Sequence, residues 1–184
     1  MNPLYALVAY VRNPVGEFAE NLRRDLNPEH PDLPAHITIL PPRHLLGTEA
    51  EALEAIEDVC RKVDPFEVTL GDVESFMPIT PTIFIRVAQK AYRLRELHDH
   101  MNTGPLFTEE QWPYMPHLTI IKMSEIESAV PALEVARHRW SRYQGSRSIL
   151  IDQLTFVRGG RNLSEWDDLA PIPLGKSLAS QPVR

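Results

Sequence analysis

The chain predicts an α+β fold of two lobes related by an approximate twofold, each with a mainly antiparallel sheet and outer helices, around a central cleft. Three observations carry that prediction. A short pattern occurs twice, as Ala-His-Ile-Thr-Ile-Leu at 35–40 and as Pro-His-Leu-Thr-Ile-Ile at 116–121. Around each copy the apolar periodicity alternates between the values for strand and helix, giving β-α-β-α-β with the motif on the central strand. The flanking elements also keep nearly the same offset as the two motif histidines, His36 and His117. A four-letter repeat arises easily by chance, but a repeat embedded in one element order does not.

Taken in order, Leu4–Val11 is an apolar first strand. A helix follows from Pro14 to Leu26, with Pro14 suited to its first turn and Val15, Phe18, Ala19, Leu22 and Leu26 on one face. A Pro-rich connection, Asn27–Pro34, delivers the first motif strand, which Pro41–Pro42 is expected to stop. Glu49 to Val63 reads as a helix with Leu53, Ile56, Val59, Cys60 and Val63 inward, and Thr48 with Glu51 has the spacing of a capping box. Phe66–Val73 is a strand by alternation. In the second half, Thr82–Val87 is a strand and Gln89–Met101 a helix with Tyr92, Leu94, Leu97 and Met101 inward. A loop through Pro105, Trp112 and Pro113 leads to the second motif strand. Ser124 to about Tyr143 forms a helix interrupted or bent near Pro131. Ser148–Val157 is a strand closed by the turn Arg158-Gly159-Gly160-Arg161, and Trp166–Leu174, with two prolines, is an edge strand. The lobes divide as 1–78 and 79–174, with strand exchange between them allowed, and 175–184 forms a frayed tail.

Composition narrows the function. At 184 residues the chain is of one-domain size, yet long enough to hold two small lobes with their own cores. Its formal charge is -6, with 19 Lys and Arg and no basic stripe, so a long nucleic acid held by phosphate neutralisation is not the expected partner. A nucleic-acid-like substrate is instead small, or gripped at one end. Cys60 is the only cysteine, which excludes an intrachain disulfide or thiolate cluster, and it is expected to pack inside a helix. The apolar start lacks the positive opening of a secretory signal, and no stretch approaches the roughly 20 apolar residues that span a bilayer. The expectation is a soluble cytoplasmic protein, monomeric by default. No metal or other cofactor is expected: His98 and His100 do not share a helix face, and His30, His36 and His44 lack a ligand pattern. Gly159-Gly160 is a turn rather than a phosphate loop, and Arg23-Arg24 and the Arg137–Arg142 group read as solvated helix faces.

The motifs carry the chemistry. On a strand His36 and Thr38 share one face while Ile37 and Ile39 point to the other, and His117 and Thr119 repeat this above Leu118 and Ile120. Cleaving a phosphodiester in line needs a base for the attacking oxygen and an acid for the departing one, on opposite sides of phosphorus. Two imidazoles with ordinary pKa near 6.5 supply both protonation states near neutrality. The threonine hydroxyls can hold the non-bridging oxygens. Residue type and spacing leave open which histidine is base and which is acid. Arg43 leaves the first motif strand near its end, to reach a phosphate or face solvent. Tyr10 and Phe84 flank the site and can stack on a base, core packing being the alternative for Phe84. Tyr114 and Trp112 can rim a nucleoside, with Trp112 the better candidate to fold back onto the protein.

His36-Ile37-Thr38-Ile39 and His117-Leu118-Thr119-Ile120 resemble the paired His-x-Thr/Ser-x motifs of the 2H phosphoesterase superfamily, which includes the bacterial 2′-5′ RNA ligase-like proteins and cyclic phosphodiesterases. The resemblance covers about residues 4–174. It implies the bilobal α+β fold and metal-free action on 2′,3′-cyclic phosphates, ADP-ribose cyclic phosphate or RNA 2′-5′ linkages. By that resemblance His117 activates water and His36 protonates the leaving oxygen. Pro41-Pro42-Arg43 stands where the RNA ligase-like branch usually has a Gly-containing turn, and is more like the small bacterial branch. The leading expectation is a phosphodiesterase opening the cyclic phosphate of a small nucleotide or RNA end. The alternatives are 2′-5′ RNA ligation and a non-catalytic module that binds nucleotides or RNA ends.

Overall fold

The computed structural model describes residues 3–29, 33–160 and 165–175. Its first helix, α1 (Pro14–Leu26), starts where Asn13 Oδ1 accepts the Gly16 N–H at 3.3 Å, and Pro14 occupies a position whose N–H would otherwise lack a helical partner. Strands β1 (Tyr5–Tyr10) and β2 (His36–Arg43) flank it. α2 (Glu49–Cys60) opens on the anticipated capping box, the Thr48 and Glu51 side chains each accepting the other's backbone N–H. There follow β3 (Phe66–Ser75), β4 (Thr82–Gln89), α3 (Ala91–Met101), a single 3-10 turn at Gly104–Leu106, β5 (His117–Lys122) and α4 (Ile126–Ser141). The last strands are β6 (Ser148–Ile151), β7 (Gln153–Gly159) and β8 (Trp166–Pro173). The Arg161 side of the predicted turn, His30 and residues 176–184 of the predicted tail lie outside the described residues.

The fold is α+β with antiparallel strands, as expected, but the strands form one sheet rather than one per half. Their order is β6-β3-β4-β5-β2-β1-β7-β8, and the halves meet where Ile37 of β2 pairs with Leu118 of β5. Each half also hands a strand to the other: β3 pairs with β4, and β7 with β1. The segment predicted as one strand from Ser148 divides at Asp152 because its two parts serve opposite flanks, β6 on β3 and β7 on β1. With only one residue between them, the sheet must curl until its flanks come together.

Helices cover one face of this sheet. Val15, Ala19 and Leu22 of α1, Ile56 of α2, Leu94 and Leu97 of α3 and Ala136 of α4 join Ile37, Ile39, Leu118 and Ile120 in one apolar cluster. The four strand residues are completely buried, each contributing roughly 1.5–3 kcal/mol by leaving water. Cys60 lies in the same core, and burial pushes its thiol up to about 12. The opposite face of β2 and β5, carrying the motif histidines and threonines, is left open.

Several expectations are corrected. Pro41–Pro42 does not stop β2, which continues to pair Arg43 with Tyr5; the prolines sit in an irregular stretch of the β1 ladder, where a missing N–H is tolerated. Pro131 lies within α4 without interrupting it. Tyr92 is exposed, because it stands on the opposite side of α3 from Leu94, Leu97 and Met101. Arg23 is buried rather than solvated.

The reason for burying Arg23 lies in two matching irregularities. Leu7 pairs with Leu40 and Val8 with Thr38, so Ile39 is an extra residue in β2. Ile83 pairs with Ile121 and Phe84 with Thr119, so Ile120 is the extra residue in β5. Such bulges take backbone groups out of the ladder. Arg23 of α1 crosses to β5, donating from Nε to the Ile120 carbonyl at 2.6 Å and from Nη2 to that of Thr119 at 3.2 Å; its Nη1 donates to the Leu33 carbonyl. On β2 the corresponding carbonyls are also held from the other half. His98 Nδ1 of α3 donates to Ile39 O and the Tyr114 hydroxyl to Thr38 O, both at 2.7 Å, with the two rings stacked at 4.2 Å. Replacing Arg23 by Met keeps the apolar stem but strips donors from these carbonyls. The expected loss is about 3 kcal/mol of unfolding free energy, read as a lower urea midpoint at unchanged slope; a loss under about 1 kcal/mol would show that water replaces the guanidinium.

Candidate active site

Antiparallel pairing of Ile37 with Leu118 sets His36 across from Thr119 and Thr38 across from His117, all four on the open face. The histidines are therefore diagonal neighbours, roughly 7 Å apart at Cβ in a regular ladder. Both rings are oriented the same way. His36 Nδ1 donates to Pro34 O at 2.8 Å and His117 Nδ1 to Met115 O at 2.7 Å, each to the residue two positions earlier. Because a carbonyl can only accept, each neutral ring keeps its lone pair on Nε2, which has no partner among the described residues. The hydroxyls of Thr38 and Thr119 likewise have none.

Burial lowers the pKa of both imidazoles from the ordinary 6.5. At His36 the carbonyl bond opposes burial and the Arg23 charge reinforces it; at His117 the Met115 carbonyl opposes and the His36 charge reinforces it. His117 thus senses the charge of His36.

Tyr10 stands edge-on to His36, with ring centres 6.4 Å apart, and its hydroxyl donates to Asp168 Oδ1 at 2.6 Å. Burial and that carboxylate raise its pKa. Phe84 is fully buried beneath Phe76 and His117, with centroid distances of 4.3 and 4.9 Å, so of its two expected roles it takes core packing and not base stacking, and it supports the imidazole. Phe76, edge-on to His117 at 5.1 Å, lines the site instead. Its position beside the prolines of the β3–β4 turn was the available signal, but sequence does not show the ring folding back over Phe84. Trp112 and Tyr114 exchange their expected roles. Trp112 is 62% exposed, whereas Tyr114 folds back to bond Thr38 O, and burial raises its pKa. Arg43 neither reaches out to a phosphate nor faces solvent. Its buried guanidinium donates to Pro41 O, Asn102 Oδ1, Leu106 O and Glu110 Oε1, fastening the loop that leads into β5. Glu110 Oε2 meets His98 Nε2 at 3.1 Å, so His98, which the sequence suggested only as a rejected ligand, completes this network.

Two cavities flank the site and share Thr38. The smaller, about 350 Å³, lies on the His36 side with Tyr10, Trp166 and Asp168. The larger, about 880 Å³, lies on the His117 side with Phe76, Ile79, Arg95 and Trp112. Thr119 lines neither, although it shares the face of His117. Two acceptor nitrogens and two unpaired hydroxyls on one open face are suited to proton transfer at both ends of a tetrahedral anion.

Comparison with known proteins places the chain in a family and shows its fold. Residues 11–163 match the family profile of the 2'-5' RNA ligase superfamily. A Bacillus cytotoxicus protein named as a phosphoesterase is 30% identical over 125 residues, covering 67% of this chain and 72% of that one. A Halalkalibacterium halodurans protein of the same name is 26% identical over 117 residues, covering 63% and 68%. Among solved structures, Escherichia coli LigT complexed with 3′-AMP superimposes with a TM-score of 0.62 at 14% identity, covering 95% of this chain and 99% of that chain. This last likeness is one of fold.

Both histidines are expected to titrate below 6.5 when followed through their Cε1–H signals by NMR. In His36→Ala the His117 midpoint should move upward, since a repelling charge is gone. Between each native midpoint and 6.5 the unfolded chain binds more protons, so this contribution to stability is fully present above 6.5 and is lost as pH falls through the native midpoints. Midpoints above 6.5 would contradict the buried, mutually repelling pair.

Proposed function

Because the chain belongs to the 2'-5' RNA ligase superfamily, we propose that it hydrolyses the 2′,3′-cyclic phosphate of a small nucleotide or RNA end by two-histidine acid–base catalysis, without a metal. The observation that carries the proposal is the matched pair of imidazoles, each with Nδ1 tied back to a carbonyl and Nε2 left to the open face. His117 Nε2 takes a proton from water as its oxygen forms the new bond to phosphorus. The bond from phosphorus to O3′ breaks, and His36, protonated at Nε2, delivers a proton to that oxygen, leaving a 2′-phosphate. Thr38 and Thr119 donate to the non-bridging oxygens, whose charge is greatest in the transition state. The depressed pKa of His117 suits a base near neutrality, while an anionic substrate beside His36 favours the charged form that an acid needs.

With the 5′-hydroxyl of a second RNA end in place of water, the same groups can open the ring by forming a P–O5′ bond and breaking P–O3′, which is 2′-5′ joining. No helix among the described residues is long and apolar enough to cross a membrane. The proposed cytoplasmic setting rests on the sequence expectation.

The four 2′,3′-cyclic mononucleotides should open to 2′-phosphates in excess EDTA, with product position assigned by phosphorus NMR. His36→Ala and His117→Ala should each lower kcat/KM by about 10²–10⁴-fold, and Thr38→Val or Thr119→Val by roughly 10²-fold. A folded wild-type protein that turns over none of them would sink the cyclic nucleotide reading. Joining of cyclic-phosphate and 5′-hydroxyl RNA ends would promote the ligase.

A further inference from the structure

The two cavities beside the site differ in size, apolar surface and charge. The larger one has the volume of a small-molecule site and an unusual mouth. Ile79, from the turn between β3 and β4, is 68% exposed, and Trp112, from the loop before β5, is 62% exposed; both line this cavity. Large apolar side chains left in water around an opening that contains His117 and Thr38 are a surface for a flat ring.

The charges add direction. Arg43, Glu110 and Arg95 all line the larger cavity, but the first two are already committed. Glu110 Oε1 pairs with Arg43 at 2.7 Å and Oε2 with His98 at 3.1 Å, so its negative charge is satisfied within the protein. Arg95 is exposed and has no hydrogen bond or ion pair among the described residues. One guanidinium is therefore available to an anion on this side. On the His36 side the charged group is Asp168, whose only hydrogen-bond partner among the described residues is the neutral Tyr10 hydroxyl. Arg12 lies over the Tyr10 ring on that side, 5.2 Å from its centroid, but does not line the cavity, so a second phosphate would meet a carboxylate in the smaller cavity and a guanidinium in the larger one.

We propose that the larger cavity is a subsite for a nucleobase and a further phosphate, the base lying against Trp112 and the phosphate meeting Arg95. The substrate is thus a 2′,3′-cyclic phosphate whose nucleoside also carries a phosphate on its 5′ oxygen, as at an RNA end, rather than a bare cyclic nucleotide. This rests on the phosphodiesterase reading above and selects between the two substrate classes that reading left together.

The test compares adenosine 2′,3′-cyclic phosphate, the same compound bearing a 5′-phosphate, and a short RNA ending in a cyclic phosphate. Wild type should show kcat/KM about tenfold higher for either phosphorylated substrate than for the bare one, and in Arg95→Ala that ratio should fall toward one. A preference confined to the RNA identifies the phosphate at Arg95 as an internucleotide diester; a preference shared with the 5′-monophosphate identifies the phosphate group itself. Trp112→Ala should raise KM for all three. No preference in wild type, or a ratio unchanged in Arg95→Ala, overturns the subsite. Binding separates this failure from that of the catalytic reading. Quenching of the Trp112 fluorescence, assigned with Trp112→Phe, should show 5′-AMP binding about tenfold more tightly than adenosine, with the difference lost in Arg95→Ala. That result with no turnover of any substrate would keep the subsite and discard the hydrolase; equal binding of 5′-AMP and adenosine would discard the subsite whatever the turnover.

Discussion

Everything at the open face depends on how the chain satisfies four backbone carbonyls. Ile39 and Ile120 are each inserted into a strand, and their bulges leave the carbonyls around them without regular ladder partners. In both cases the donor comes from the other half of the chain, Arg23 for β5 and His98 with Tyr114 for β2. A buried carbonyl without a donor costs on the order of 1–3 kcal/mol, so these braces are conditions of the fold. They also fix where the motif strands lie relative to one another, because the strands' own pairing is confined to Ile37 and Leu118.

The symmetry is one of position and not of chemistry. One guanidinium does for β5 what an imidazole and a phenol do for β2. The second solution draws in the whole approach to β5. Tyr114 stacks on His98, His98 meets Glu110, and Glu110 meets Arg43 at the end of β2. The loop that shapes the larger cavity is thereby fastened to the strand carrying His36. The Arg23 side has a different effect, since its charge bears directly on His36 and helps keep that ring neutral when no anion is bound. Equivalent histidines thus sit in unequal fields, a natural basis for giving them different tasks.

Much of this was legible in the sequence. Period-two alternation placed His36 and Thr38 opposite Ile37 and Ile39, and the repeat at His117 placed the second set; their half-buried and fully buried side chains follow that alternation. The cap at Thr48 was readable because it rests on contacts three residues apart. The bulges had a signal too. Ile39-Leu40 and Ile120-Ile121 break alternation with two successive apolar residues, and all four are buried. What sequence did not disclose was long-range. Arg23 looks like a surface residue beside Arg24 until the carbonyls it meets, some 97 positions away, are in place. Arg43, Tyr114 and Trp112 were misplaced for the same reason, since aromatic and charged groups at strand ends and in loops go where tertiary partners remain unsatisfied.

The division at Asp152 bears on how the protein comes into being. During synthesis the first half emerges with β1 lacking β7 and β3 lacking both β4 and β6. Its strands expose unpaired edges until the chain has been made through Gly159, so the halves are not separate folding units despite their internal resemblance. Closure of the sheet waits on contacts between the two extremes of the chain, an arrangement of high contact order that favours slow, cooperative folding over assembly from preformed lobes. A chain holding only one half would leave those same edges open, so the second half is a condition of closing the sheet.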